Sequence, residues 1–316
     1  MSQAVNEAPT FVAGHNGLVG SAIVRRLRQS GASRLLLRTR AELDLRSAGA
    51  VERFFAEHRP EYVFLAAAKV GGIEANRSQP AQFLRDNLMI QTNVIDAAHR
   101  HGTKKLLFLG SSCIYPKHAP QPMPESCLLT GPLEPTNEWY AIAKIAGLKM
   151  CQAYRREYRF GAICAMPTNL YGPGDNFDLN GSHVLPALIR KCHEAKLSGA
   201  KTVEIWGTGK PRREFLHADD LADACVHLML HYDDESPINI GWGEDCSIGE
   251  LAGMVASTCG YGGALSFDPS KPDGTPRKLL DVSRMAALGW KPKIALETGL
   301  RLTYDWFRAN EGRVRQ

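Results

Sequence analysis

The chain has 316 residues, 44% of them apolar, with a formal net charge of +5 and eight cysteines. That length can bury one large domain and a smaller one, while no apolar run approaches the ~20 residues that a membrane helix needs, and the cysteines show no C-x-x-C or metal-ligand spacing. The charge is spread along the chain, which favours an anionic small substrate over nucleic acid, and the polar residues 1–8 carry no basic-then-apolar signal pattern, so reduced thiols in a cytoplasm are expected.

Residues 9–13 read as a short buried strand, followed by the turn Gly14-His15-Asn16-Gly17-Leu18-Val19-Gly20 and a helix over 21–29 that Gly31 ends. Strand, glycine turn and helix are the context of a dinucleotide fingerprint. The glycines let backbone approach a pyrophosphate, and the N–H groups of the helix start meet its charge. The next strand, over 34–38, ends in Arg38-Thr39-Arg40. An acidic residue near this point suits the ribose of NAD, whereas arginine suits a 2′-phosphate, so Arg40, with Arg38 near it, favours NADP. Asp44 either accepts from the adenine amino group or begins the helix that follows.

A helix over 48–58, a strand over 62–67 and a small-residue stretch over 66–72 come next, then a long helix over 80–100 and a strand over 105–109 ending at Gly110-Ser111-Ser112-Cys113. Alternating strands and helices predict an α/β fold with a doubly wound parallel sheet, and ligands bind such sheets outside the carboxyl ends of their strands. Ser111 and Cys113 fall there. A proline-rich loop over 116–135 leads to a helix over 140–157, apolar on more than one side, for which a homodimer contact is the expectation.

Tyr140 and Lys144 lie four apart on that helix and share a face, so an ammonium can sit beside a phenol and favour its ionised form. The Ser111 hydroxyl can hold a carbonyl oxygen beside the phenol. The Cys113 thiol can exchange a proton with carbon. Reduction and epimerisation are both compatible with this set. Further on, a helix over 184–196, a strand over 203–206 and a glycine-punctuated loop over 207–215 predict a smaller C-terminal α/β domain. Trp206 is either a nucleotide surface or core, and Asp219 or Asp220 is expected to cap the helix beginning at His217-Ala218.

Several segments together resemble the extended short-chain dehydrogenase/reductase family. They are Ala66-Ala67-Ala68-Lys69-Val70-Gly71-Gly72-Ile73, Gly110-Ser111-Ser112-Cys113-Ile114-Tyr115-Pro116-Lys117, Leu133-Glu134-Pro135-Thr136-Asn137, Tyr140-Ala141-Ile142-Ala143-Lys144, Met166-Pro167-Thr168-Asn169-Leu170-Tyr171-Gly172-Pro173 and Ser182-His183-Val184. The likeness runs from Gly14 to the region of Trp306. The serine-serine-cysteine run with His183 resembles one branch, whose members invert C3 and C5 of GDP-4-keto-6-deoxy-D-mannose and reduce its 4-ketone with NADPH, giving GDP-L-fucose.

The resemblance implies a Rossmann domain over 1–180 with a return segment near 214–245, and a mainly GDP-sugar-binding domain over 181–316. It implies catalysis by Ser111, Cys113, Tyr140, Lys144 and His183, with Cys113 and His183 as base and acid in an order left open; the sequence alone lets Ser112 share or replace the role of Ser111, and the resemblance favours Ser111. It adds Leu109, Gly110, Lys144, Pro167, Asn169, Leu170 and His183 to the NADP(H) site, and gives Lys191, Trp206, Arg213 and Asp273, in the turn Lys271-Pro272-Asp273-Gly274, to the GDP-sugar. No metal is implied. The family commonly places arginine where this chain has Asn16, so the 2′-phosphate loses one charge. A GDP-L-colitose synthase, a 4-epimerase and a non-catalytic NADP-binding regulator are the alternative readings.

Overall fold

Four consecutive buried residues, Thr10–Ala13, form β1, and every one of them pairs in parallel with β3 (Tyr62–Leu65). Between them lie α1 (Leu18–Gln29), the two-residue β2 (Leu35–Leu36) on the other side of β1, and α2 (Ala48–His58). The chain goes on through α3 (Ile73–Ser78), α4 (Pro80–Arg100), β4 (Lys105–Leu109), α5 (Glu138–Tyr158), β5 (Ala162–Pro167) and β6 (Asn169–Tyr171). Next come α6 (Val184–Ser198), β7 (Thr202–Trp206), β8 (Arg212–Arg213), β9 (Phe215–His217), α7 (Ala218–His231) and β10 (Ile238–Ile240). The last elements are β11 (Cys246–Ser247), α8 (Ile248–Cys259), β12 (Ala264–Asp268), β13 (Arg277–Lys278), α9 (Ser283–Ala287) and α10 (Leu296–Ala309). This computed structural model describes residues 7–179, 181–271 and 273–312; the polar start over 1–6 and Pro272 lie outside the described residues.

The main sheet is parallel throughout, in the order β10-β5-β4-β3-β1-β2, so the α/β doubly wound class is the one observed. Alternation along its strands builds two cores. Leu106 and Phe108 of β4 face α2, α4 and α5, whereas Leu107 and Leu109 face α1 and α7. A third core, with Leu188, Ile205, Val255, Leu300 and Phe307, joins α6, α8 and α10 to the two-stranded β7-β12 sheet.

Several sequence expectations hold to the residue: α2, α4 and β4 have the predicted bounds. Others move. The strand over 34–38 shrinks to Leu35–Leu36, because only β1 pairs with it at the sheet edge. Helix α1 starts at Leu18 rather than at residue 21, since Gly17 already serves as its extended N-cap. The cap of α7 is neither Asp219 nor Asp220. The ring Nδ1 of His217 accepts from the Asp219 N–H at 3.2 Å, while Asp219 is engaged by Arg25 at 2.5 Å and Asp220 accepts the N–H groups of Lys293 and Ile294.

Candidate active site

The carboxyl ends of β1, β3, β4 and β5 open into one cleft of about 1300 Å³, which reaches across to β7, β8 and β13. Every site residue expected from the sequence lines it. At one end is the glycine turn. Gly14 has φ +86°, and a Cβ there would lie 2.8 Å from Ala67 backbone, so the ends of β1 and β3 close on each other only because Gly14 has no side chain. At Gly20 a Cβ would overlap the Gly14 carbonyl oxygen. The first turn of α1 has no side-chain cap and no acidic residue, which leaves its N–H groups to an anion in the cleft. The residues therefore fit a dinucleotide pyrophosphate.

Arg40 is exposed on the wall of the cleft. Arg38 is held back: it donates to Leu37 O at 2.9 Å, meets the His58 ring nitrogen at 3.1 Å and lies 5.7 Å from the Phe54 ring centre. Asp44 is occupied by Arg46, whose guanidinium holds the carboxyl down to about 2. The following helix is capped by Ser47. Leu109, Gly110, Pro167, Asn169 and Leu170 complete the wall, Asn169 being fixed by its donation to Glu214 O at 2.8 Å.

Where β4 ends, Ser111 adopts an extended backbone, caps a single 3-10 turn and accepts from the Cys113 N–H at 3.2 Å. Its side chain favours the ionised form of the Tyr140 phenol, and both residues line the cleft, whereas Ser112 is buried. Helix α5 brings Tyr140 and Lys144 to the same face, as four-residue spacing dictates. The electrostatics differ from the sequence expectation. Lys144 is 4% exposed, donates to Leu109 O at 2.7 Å and stands 5.8 Å from the centre of the Tyr140 ring. Burial pushes its ammonium down to about 8, and burial followed by the Cys113 charge pushes the Tyr140 phenol up, against the Ser111 hydrogen bond. Without ligand, the lysine does not offset the cost of enclosing the phenol.

His183 is the N-cap residue of α6, and its ring meets cleft solvent while the walls close around it. That enclosure, and then the positive charge of Lys278, hold its imidazole below the ordinary histidine range. The segment carrying it is docked by Gly72 N–H donating to Gly181 O at 3.0 Å. Thus Ser111, Cys113, Tyr140, Lys144 and His183 come from three separate elements to one cleft. Two hydroxyls, a thiol and an imidazole thus line one cleft, a set able to move protons at carbon next to a ketone.

At the far end Trp206 is 54% exposed, so it is a surface and not core. The Lys191 and Lys271 ammonium groups lie 5.8 and 5.5 Å from its ring centre. Arg213 is half-buried, and Asp273 is engaged by the Thr208 N–H and hydroxyl at 2.7 and 2.8 Å. Flat ring, cations and a carboxylate suit a nucleoside diphosphate.

Three residues were not singled out by sequence reasoning. Asn137 sends its Nδ2 to Cys113 Sγ at 3.2 Å; its place just ahead of α5 was the available signal. Glu214 is fully buried and accepts the Gly243 and Leu280 N–H groups at 2.7 and 3.1 Å, which no local pattern could indicate. Asp175 lines the cleft with one buried oxygen lacking a partner, and burial pushes its carboxyl up to about 7.

Fold and cleft define a nucleotide-dependent enzyme of the Rossmann type, and residues 10–241 match the family model described as the NAD dependent epimerase/dehydratase family; the chain belongs to that family. It is 61% identical to GDP-L-fucose synthase 1 of Arabidopsis thaliana, over 98% of this chain and 96% of that one. It is 56% identical to GDP-L-fucose synthase of Escherichia coli K12, covering 96% and 98%. A solved GDP-L-fucose synthetase from Naegleria fowleri bound to NADP superposes with TM-score 0.90, at 29% identity and with 97% and 96% covered.

Proposed function

We propose that this chain is an NADPH-dependent epimerase and reductase that inverts C3 and C5 of GDP-4-keto-6-deoxy-D-mannose and reduces C4, giving GDP-L-fucose. The observation that carries this reading is the convergence of Cys113 and His183 with Ser111 and Tyr140 in the cleft that begins at the glycine turn. A C4 epimerase needs no thiol and imidazole pair.

A proton next to the ketone is acidic because the electron pair it leaves behind settles on oxygen. The Ser111 and Tyr140 hydroxyls hold that oxygen and donate to it. Cys113 and His183 serve as base and acid on opposite faces of the ring, so each proton returns on the side it did not leave. NADPH, held by Gly14, Gly17, the start of α1 and Arg40, supplies a hydride when bound. Tyr140 gives its proton to the C4 oxygen, and Lys144, on the same helix face, assists it and would hold the ribose of the bound cofactor. Trp206, Lys191, Arg213 and Asp273 hold the GDP end.

Residues 1–180 with the return segment near 214–245 form the cofactor-binding part, and 181–316 mainly bind the GDP-sugar. Support comes from β10 lying beside β5 in the main sheet, and from the third core gathered around β7. A homodimer through α5 accords with the exposed Trp139 and Ile142 on that helix. No described helix is long and apolar enough to cross a membrane, and a cytoplasmic site of action fits the free thiols of all eight cysteines. The test is incubation of GDP-4-keto-6-deoxy-D-mannose with NADPH. Consumption of NADPH with an L-configured product is expected, and Cys113→Ser and His183→Asn variants should lose inversion. Inversion of both centres by those variants would remove the two residues from these roles.

A further inference from the structure

We propose that Asn137 and Lys278 are positioning residues that hold the Cys113 sulfur as a thiolate, the form able to take a proton from carbon, before substrate arrives. The inference rests on the epimerase reading above and deepens it at the same site.

Two donors converge on one sulfur. Asn137 Nδ2 lies 3.2 Å from Cys113 Sγ and Lys278 Nζ lies 3.8 Å away. An ammonium has three donors and no acceptor capacity, so next to it the sulfur is the acceptor, and an amide nitrogen on the same atom repeats that polarity. Arg213 lines the same cleft. Cationic, partly exposed surroundings of this kind mark a reactive cysteine. Cys113 is half-buried, while six of the other seven cysteines are buried.

Both donors are fixed by chain remote from Cys113. Asn137 stands at the start of α5, behind a turn in which Glu134 Oε1 accepts from the Thr136 N–H and hydroxyl at 3.3 and 3.2 Å. Lys278 sits on β13, which pairs with β8 beside Arg213 and is held by Lys278 O accepting from the Glu214 N–H at 3.2 Å. Its neighbour Leu279 donates its N–H to Gln121 at 2.9 Å. Loops from both halves of the chain therefore meet at the sulfur.

The step balances without any other reagent. The thiolate takes the proton from carbon, the C–H pair moves onto the ketone oxygen, and the carbon regains a proton from His183 on the other face. Cys113 then returns its proton to water and His183 takes one up. Lys278 also disfavours positive charge on His183, so a protonated imidazole there yields its proton more readily.

The test is iodoacetamide labelling of the full chain at pH 7 without substrate, with modification followed peptide by peptide. Cys246, also half-buried, serves as the internal reference. Lys278→Met and Asn137→Asp should each slow labelling of Cys113 about tenfold, Lys278→Arg should keep it within about threefold of wild type, and Cys246 should not change. Thermal unfolding and NADPH binding verify that each variant is folded; if one is not, the other decides. Cys113 labelling within about twofold of wild type in a folded Lys278→Met or Asn137→Asp variant overturns the proposal. A wild-type chain that consumes no NADPH with the keto-sugar contradicts the function reading instead, and leaves the labelling result to judge the thiolate.

Discussion

Lys144 shows how a single side chain can be arranged for chemistry at the expense of stability. Its ammonium is buried with one carbonyl partner, and its ordinary value of 10.5 falls to about 8. Between those two pH values the unfolded chain binds a proton that the folded chain does not, so ligand-free stability should rise with pH across that window. At pH 7 the full cost is about 3 kcal/mol, and Lys144→Met should recover about 1–2 kcal/mol of it in urea unfolding while losing reduction, part being forfeited by the unpaired Leu109 carbonyl. Equal or lower stability of the variant would show that the charge is better satisfied than the geometry indicates. Arg40 is the residue proposed to set the cofactor preference, because Arg38 is tied to His58 and Leu37 and Asn16 brings no charge. Arg40→Ala should lower kcat/KM for NADPH relative to NADH about tenfold. An unchanged ratio would move the 2′-phosphate elsewhere.

At the scale of elements, what could be read in advance follows from how local the determinants are. Helices α2 and α4 and strand β4 are bounded by side chains that act within a turn of them, such as the Ser47 cap and Pro80 at the first position. Glycine turn, serine-cysteine strand end and tyrosine-lysine helix were legible for the same reason. Other features depend on distant partners. Histidine is not an ordinary N-cap, and His217 takes that place on α7 while Arg25 draws Asp219 away. The donors on Cys113 lie 24 and 165 residues along the chain, and no spacing rule connects them. Glu214 is a further long-range piece: it gathers Gly243 and Leu280 beside β8 and so sets the strand that carries Lys278. Glu214→Ala should cost about 2–4 kcal/mol, since it strands the buried Leu280 N–H and the half-buried Gly243 N–H, and Glu214→Gln should cost less. Urea midpoints decide; a neutral Glu214→Ala would mean that water replaces the carboxylate.

Over the whole molecule, one cleft joins the glycine turn to the Trp206 surface, and the chemistry sits midway between them. In the proposed reaction the cofactor would lie at the glycine turn and the GDP end at Trp206, with the keto-sugar between them. The exposed Trp139 and Ile142 leave an apolar face on α5, and light scattering should report two chains for the wild type and one for a Trp139→Glu, Ile142→Glu double variant. The proposed function requires one site to perform both inversion and reduction. It is tested most directly by running the reaction with GDP-4-keto-6-deoxy-D-mannose and NADPH in deuterated water and reading the product by NMR. Deuterium is expected at C3 and C5 of an L-configured 6-deoxy sugar, with one NADPH consumed per product. A reduced sugar that keeps the D-configuration and carries no deuterium at either carbon would contradict it.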